Sequence, residues 1–360
     1  MQDINADAAV KQYEIAREVG RRIVTGIWKA GERIPPMAAL KQEFGVAIAT
    51  LQRAMDHLQD GGFLIAQRGR GTFVNAEAPC LRRFGMVFPA LYGAHNWSLL
   101  YEALLLSGRA HSAHEFVFYF GLGATQDPTE HARLVRDVET FQIGGLFFAV
   151  NPFELKGSSV LADALPIPRI AVMSSSGGYR DILSIYPSLE SFADLAVERI
   201  RIRGFRKIAF LATAHHPASL LDRMRRTMAP YGISIPDRWV QGVPWTDPVW
   251  AHNCVLNLFD PSVGERPEVL VITDDHLVKG AMDGLRAATL EPGRDVEVIA
   301  DINMPSPTPP VPGVTYAGAD IAALLEHAVM MVESRRLGRP HARSVTMDAL
   351  LFDFPARKQT

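Results

Sequence analysis

A chain of 360 residues with a formal net charge of −2 has room for two or more separately cored domains, and it carries no global basic field. Any contact with nucleic acid must therefore come from a local patch. Hydrophobic residues make up 48% and charged residues 21%, the balance of a soluble globular protein rather than a disordered or membrane-embedded one. The two cysteines, Cys80 and Cys254, are far apart and form neither a disulfide framework nor a zinc spacing. The N-terminus lacks the charged start and apolar run of a signal peptide, and no apolar run reaches membrane length. A cytoplasmic protein without membrane contact is expected.

Ile15, Val19 and Ile23 recur at helical spacing and predict a first helix over residues 11–27. Tyr13 and Ile27 lie near its ends, and Arg17, Arg21 and Arg22 take other faces. Gly26, Gly31 and Pro35-Pro36 break the chain before a short helix over 37–44, anchored by Leu40 and Phe44 and closed by Gly45. A third helix over 47–60 buries Leu51, Met55 and Leu58, with Ala54 beside them, and leaves Ile48, Ala49, Gln52, Arg53 and Asp56 outside. Gly61-Gly62 ends it. Two short strands follow, around the basic tip Arg68-Gly69-Arg70. A helix followed by a small basic hairpin is the layout of a winged helix-turn-helix. The helix fits a major groove, and the glycines let the wing backbone approach phosphates or the minor groove.

This order of residues resembles the GntR family of bacterial transcription regulators. The matching positions are Tyr13, Ile15, Ile23, Gly26, Gly31, Ile34-Pro35, Leu40, Phe44-Gly45-Val46, Thr50, Arg53-Ala54, Leu58, Gly62 and Gly69 through Val74. The resemblance implies double-stranded operator DNA as partner and a homodimer as the binding form. It implies DNA contacts from Lys41, Ile48, Thr50, Gln52, Arg53, Arg68, Gly69, Arg70 and Thr72. The departures fall on reading positions. Ala38, Ala47-Ile48 and Gln52 stand where the family usually has arginine or serine-arginine. Arginine makes a two-pronged contact to guanine, whereas isoleucine touches only a thymine methyl. Either the site read is less dependent on guanine or specific binding is weakened. Through residue 78 there are ten Lys and Arg against nine Asp and Glu, a modest local charge. Any single exposed arginine reads as a solvated surface group; Arg53, Arg68 and Arg70, clustered on a third helix and its wing, read as phosphate contacts.

Residues 76–83 carry no clear period and read as a linker between a domain at 1–75 and one at 84–354. Beyond it, apolar runs at 84–89, 116–119, 145–149, 167–173, 207–212, 269–272 and 296–300 predict buried strands. They alternate with helical stretches near 97–111, 128–141, 189–203, 218–231, 249–258, 275–288 and 320–336. Repeated strand–helix units predict an α/β fold, a doubly wound parallel sheet in two lobes, with ligand sites at the carboxyl ends of strands.

The segments Gly204-Phe205-Arg206-Lys207-Ile208-Ala209, Val269-Leu270-Val271-Ile272-Thr273-Asp274-Asp275 and Asp295-Val296-Glu297-Val298-Ile299 resemble strands of LacI/GalR-type repressors, relatives of periplasmic binding proteins. The resemblance implies a small polar effector of the sugar class, with Asp275 as a ligand carboxylate and Trp97 as a ligand-facing aromatic. Each has a second reading. Asp274 or Asp275 opens a helix as its N-cap, and Trp97 packs in a core. The family's ligand arginine falls by register near Leu220, which leaves Arg223 as a substitute. The turn at Ala300-Asp301-Ile302-Asn303 offers Asp301 and Asn303 to the cleft, or as turn caps.

Other chemistry is thin. His111, His114, His215 and His216 lack a third ligand at suitable spacing and read as surface histidines. Gly121-Leu122-Gly123 lacks the rest of a dinucleotide loop. No nucleophile motif stands out, and neither a cofactor nor a metal is expected. Pro305 to Pro312 reads as a stiff connector. The chain reads as a ligand-responsive transcription regulator. The alternatives are a ligand-binding protein with lost or weakened specific DNA binding and, against the missing catalytic constellation, an enzyme.

Overall fold

A computed structural model describes residues 2–94, 97–123, 127–149, 167–172, 181–213, 218–244, 247 and 249–354. Three helices open the chain: α1 (Gln2–Val24), α2 (Met37–Phe44) and α3 (Ile48–Asp60). The predicted stripe is the buried one, with Leu51, Ala54, Met55 and Leu58 facing Ile15, Val19 and Ile23 of α1. Strands β1 (Leu64–Gln67) and β2 (Gly71–Val74) then pair antiparallel, from Leu64↔Val74 to Gln67↔Gly71. Arg33 forms an antiparallel bridge with Phe73, so the hairpin gains a third partner from the segment before α2.

The expected linker is more ordered than its composition implies. A short helix, α4 (Pro79–Arg82), lies inside it, and Ala78 and Cys80 are fully buried. Gly144 leaves room for the Cys80 carbonyl, which a side chain at 144 would strike. Burial pushes the Cys80 thiol up to about 12, so it is an inert packing group. The reason is burial rather than sequence period: two small residues pack beneath the start of the next strand.

The remaining elements alternate. They are β3 (Arg83–Val87), α5 (Leu99–Ala110), β4 (Glu115–Tyr119), α6 (Pro128–Glu139), β5 (Leu146–Phe148), β6 (Arg169–Val172), β7 (Ile182–Pro187), α7 (Leu189–Arg203) and β8 (Ile208–Thr213). Then come α8 (Ala218–Met228), β9 (Val240–Val243), α9 (Trp250–Leu258), β10 (Val269–Ile272), α10 (Asp275–Ala287), β11 (Glu297–Met304), β12 (Val314–Asp320), α11 (Ile321–Arg336), β13 (Ser344–Met347) and β14 (Leu350–Phe352). They build two six-stranded sheets, ordered β13-β7-β6-β5-β3-β4 and β14-β12-β11-β10-β8-β9. Every neighbouring pair from β7 to β4 and from β12 to β9 is parallel, while β14 runs antiparallel to β12.

The chain forms two compact units. The first comprises Met1–Tyr92, Gly108–Ile185 and Glu326–Val345; the second comprises Gly93–Ser107, Tyr186–Leu325 and Thr346–Thr360. Within the first, the helices of the N-terminal domain and the sheet share one continuous core. It runs from Ile15 and Leu58 through Ala78 and Cys80 to Val87, Tyr119, Leu134 and Phe148. The winged helix thus packs onto the first sheet rather than standing apart from it.

Candidate DNA interface and candidate effector site

Helix α3 presents Ile48, Ala49, Gln52, Arg53 and Asp56 to solvent, with Thr50 half-buried. Its N-cap is Ala47, whose side chain accepts no bond, so the first amides of α3 lack a cap. The Gln52 amide donates to Asp56 Oδ1 at 2.8 Å, which ties it along its own helix. Lys41, on α2, is exposed. At the wing tip, Arg68, Gly69 and Arg70 are all exposed and Thr72 is half-buried. Arg70 N–H donates to the Gln67 carbonyl at 2.9 Å and closes the turn, and the Arg70 guanidinium lies over the Phe73 ring.

Six of the ten basic residues through residue 78 fall into two groups. Arg21 Nε donates to Glu18 Oε2 at 2.7 Å, and Arg22 bonds both Glu18 and Glu43. The bond from Arg21 holds the Glu18 carboxyl down at about 2, against the opposing effect of burial and with help from Arg22. These arginines are neutralised within the fold. Lys41, Arg53, Arg68 and Arg70 have no ion pair with any described residue. All nine residues expected at the DNA face therefore lie on the exposed or half-exposed surface of α2, α3 and the wing.

The second constellation lies in the second unit, at the carboxyl ends of β10 and β11. Asp274 is the N-cap of α10, and its carboxylate accepts from His276 N–H at 3.0 Å. The cap role falls to Asp274 and leaves Asp275 for other partners. Asp275 Oδ2 accepts from Asn303 Nδ2 at 2.9 Å. Asp301 and Asn303 were expected on a turn, but β11 continues through them to Met304. As residues two apart on a strand they share one face. Asn303 is only 9% exposed.

His276, which sequence reasoning did not single out, sits at the centre of this group. Its Nδ1 lies 2.9 Å from Asp274 Oδ1 and 3.2 Å from Asp275 Oδ1. Its Nε2 accepts from Leu99 N–H at 2.9 Å. Burial opposes a charge on the ring, but the hydrogen bonds to Asp274 and Asp275 prevail and raise its pKa to about 10. Leu99 N–H donates to Nε2 in this geometry, so a second proton on the ring would cost the Leu99 bond. Asp301 is pushed well above the usual carboxylate range, first by burial and then by the charges of Asp275 and Asp274.

Trp97, two residues before Leu99, is half-buried. Its indole N–H donates to Glu102 at 2.7 Å, and its ring meets Tyr101 edge-on at 5.6 Å. Arg223 does not join the group as described. It is half-exposed on α8 and bonds Asp194 of α7 at 2.7 Å, a surface ion pair that satisfies its guanidinium. The atoms of Asp274, Asp275 and His276 that could ligate a metal lie within 4.8 Å of one another, with the imidazole Nδ1 between the two carboxylates. His111 and His114 pair with Glu326 and Glu333 at 3.3 and 3.2 Å, and the His111 side chain is 3% exposed, not on the surface as expected. His215 and His216 lie outside the described residues.

Comparison with known proteins matches two segments of the chain to family models. Residues 11–74 match the model of the bacterial regulatory proteins of the gntR family, and residues 197–350 match that of the periplasmic binding protein-like domain. A Mycobacterium gastri protein named as the HTH-type transcriptional regulator RmpR is 45% identical over 62 residues, 17% of this chain and 23% of that protein. The histidine utilization repressor of Klebsiella aerogenes is 38% identical over 63 residues, 17% of this chain and 26% of that one. The chain thus spans about a quarter of the length of these relatives. Among solved structures, a LacI transcriptional regulator from a Rhodococcus species aligns with a TM-score of 0.57 at 18% identity, over 75% of this chain and 96% of that one. The transcription regulator CcpA of Lactococcus lactis aligns with a TM-score of 0.55 at 13% identity, over 76% and 97%. At such identities the likeness is one of fold.

Proposed function

We propose that this chain, in which a gntR-family DNA-binding domain precedes the fold of LacI-type regulators, is a transcription regulator whose operator affinity is set by a small polar effector. A homodimer binds a two-fold related duplex. Each α3 enters a major groove, and each wing lies on the flanking backbone. The observation that carries the reading is the division of the basic residues: Arg21 and Arg22 are neutralised inside the fold, while Lys41, Arg53, Arg68 and Arg70 line the outer face of α2, α3 and the wing without ion pairs. The effector, of the sugar class, binds at the ends of β10 and β11. Asp275, Asp301 and Asn303 pair with its hydroxyl groups, and Trp97 covers an apolar face. Ligand and operator are linked because the ligand binds one dimer geometry better than another. No catalysis is assigned to the chain.

The Gln52–Asp56 bond and the exposed, apolar Ile48 favour one second reading: an effector-binding protein with weakened specific DNA binding. Selection by the purified chain from a pool of random duplexes separates the two. Enrichment of a two-fold related sequence supports the regulator. A pool that stays random while salt-sensitive binding persists supports the second reading.

A further inference from the structure

Arg33 lies outside the elements expected to read DNA, and it is exposed just before Ile34-Pro35. Its backbone bridges Phe73 of β2. The flanking bonds fix that register: Ile34 N–H donates to the Thr72 carbonyl at 2.9 Å, and Val74 N–H donates to the Glu32 carbonyl at 2.8 Å. From there the side chain reaches across β2 to Gly71. A Cβ at position 71 would lie 2.6 Å from Arg33 Nε and 3.1 Å from an Nη, inside contact distance. Gly71 also has φ +111, a conformation that side chains resist. The φ of Gly71 calls for glycine, and the missing side chain leaves a seat for the Arg33 guanidinium.

Arg33 has no hydrogen bond or ion pair with any described residue. Holding a long cation in place costs rotamer entropy. Here the strand beneath restricts the side chain without neutralising it. Arg68 and Arg70, equally without ion pairs, stand at the tip of the same hairpin.

From this geometry the structure assigns Arg33 as a third DNA-contacting cation of the wing, with a backbone phosphate of the duplex as its ligand and Gly71 as its seat. The assignment rests on the reading of the winged helix as a DNA-binding element. A planar guanidinium offers two parallel N–H donors to phosphate oxygens, and its charge persists at any working pH.

The test uses the full chain and the duplex that the wild type selects, titrated by fluorescence anisotropy at several salt concentrations. Arg33→Gln is expected to weaken binding about 3–10-fold near ~0.1 M salt and to lower the salt slope by about one. Arg33→Lys restores the slope but not the full affinity. Arg17→Gln is the control: Arg17 is exposed on α1 and lines a small cavity with Glu139 and Gln142. It should leave affinity and slope unchanged. Thermal unfolding of each variant shows that the fold persists. Wild-type affinity and slope in Arg33→Gln would overturn the assignment. So would equal losses in Arg33→Gln and Arg17→Gln, which would report only the overall charge of the domain. If the wild type binds no duplex at any salt, the DNA-binding reading itself falls.

Discussion

The Phe141 ring occupies the space that a side chain on Gly20 would need: a Cβ there would lie 2.5 Å from Phe141 Cδ2. Gly20 is near the C-terminal end of α1, and Phe141 follows α6 in the loop that leads to β5. Phe141 is 3% exposed and adopts φ +54, which is unusual for a residue with a side chain. This contact belongs to the core that the winged helix shares with the first sheet. The first sheet and α1 are therefore joined by packed side chains as well as by the linker.

In an exposed helix, Gly→Ala stabilises by about 1 kcal/mol. At Gly20 the sign should reverse, because the ring is enclosed and its backbone is already strained. Gly20→Ala is expected to destabilise by about 1–3 kcal/mol, as overpacked sites do. Denaturant unfolding of Gly20→Ala, Phe141→Ala and the double variant reads the coupling directly. Unfolding free energies that add without coupling would show that the ring does not bear on the helix.

Asp275 is free of the cap role, so its replacement tests the effector site rather than the helix. Asp275→Asn should weaken a polar ligand by about 1–3 kcal/mol if the lost bond is buried. It should leave DNA affinity without ligand nearly unchanged. Calorimetric titration with a panel of sugars and polyols measures both forms. Equal affinities would remove Asp275 from the site, and no heat with any of them would argue against the sugar class.

Asp301 makes stability depend on pH. Its folded pKa is raised well above the unfolded value, first by burial and then by Asp275 and Asp274. Between those two values the folded state binds more protons than the unfolded state, so stability falls as pH rises through that window. Below the unfolded pKa of about 4 the contribution is fully present. Asp301→Asn cannot ionise. Its melting temperature relative to wild type should rise from acid towards neutral pH. A constant difference across that range would place the Asp301 carboxylate among compensating charges.

How much of this was legible in the sequence depended on the kind of signal each element carries. The three opening helices and the hairpin were readable because one periodic stripe and paired glycines mark them. The first helix nevertheless begins at Gln2, ahead of the expected residue 11, where the stripe gives no cue. The strands of the two sheets with branched or aromatic runs were readable as well. Strand β12 was not, because Ala317, Gly318 and Ala319 fill its second half. The small residues follow from a close approach to β11, where a side chain at Gly318 would strike the Ile302 carbonyl. Strands β7, β9, β13 and β14 lacked long apolar runs and were also missed. At the candidate effector site, the two aspartates at the end of β10 gave no sign of which one caps the helix. The geometry assigns the cap to Asp274. His276 could have been noticed as the residue after an Asp-Asp pair at a strand end, but only the fold brings Leu99 to its far nitrogen.

The unpaired arginines of the wing are expected to meet DNA. This contact is tested most directly by the salt dependence of duplex binding in the wild type and in the Arg68→Ala/Arg70→Ala variant. Each phosphate contact contributes about 0.9 to the slope of log affinity against log salt. The wild type should bind tightly and with a steep salt dependence. The variant should bind all duplexes more weakly and lose about two from the slope. Identical slopes in the two proteins, or no binding by the wild type at low salt, would contradict this contact with DNA.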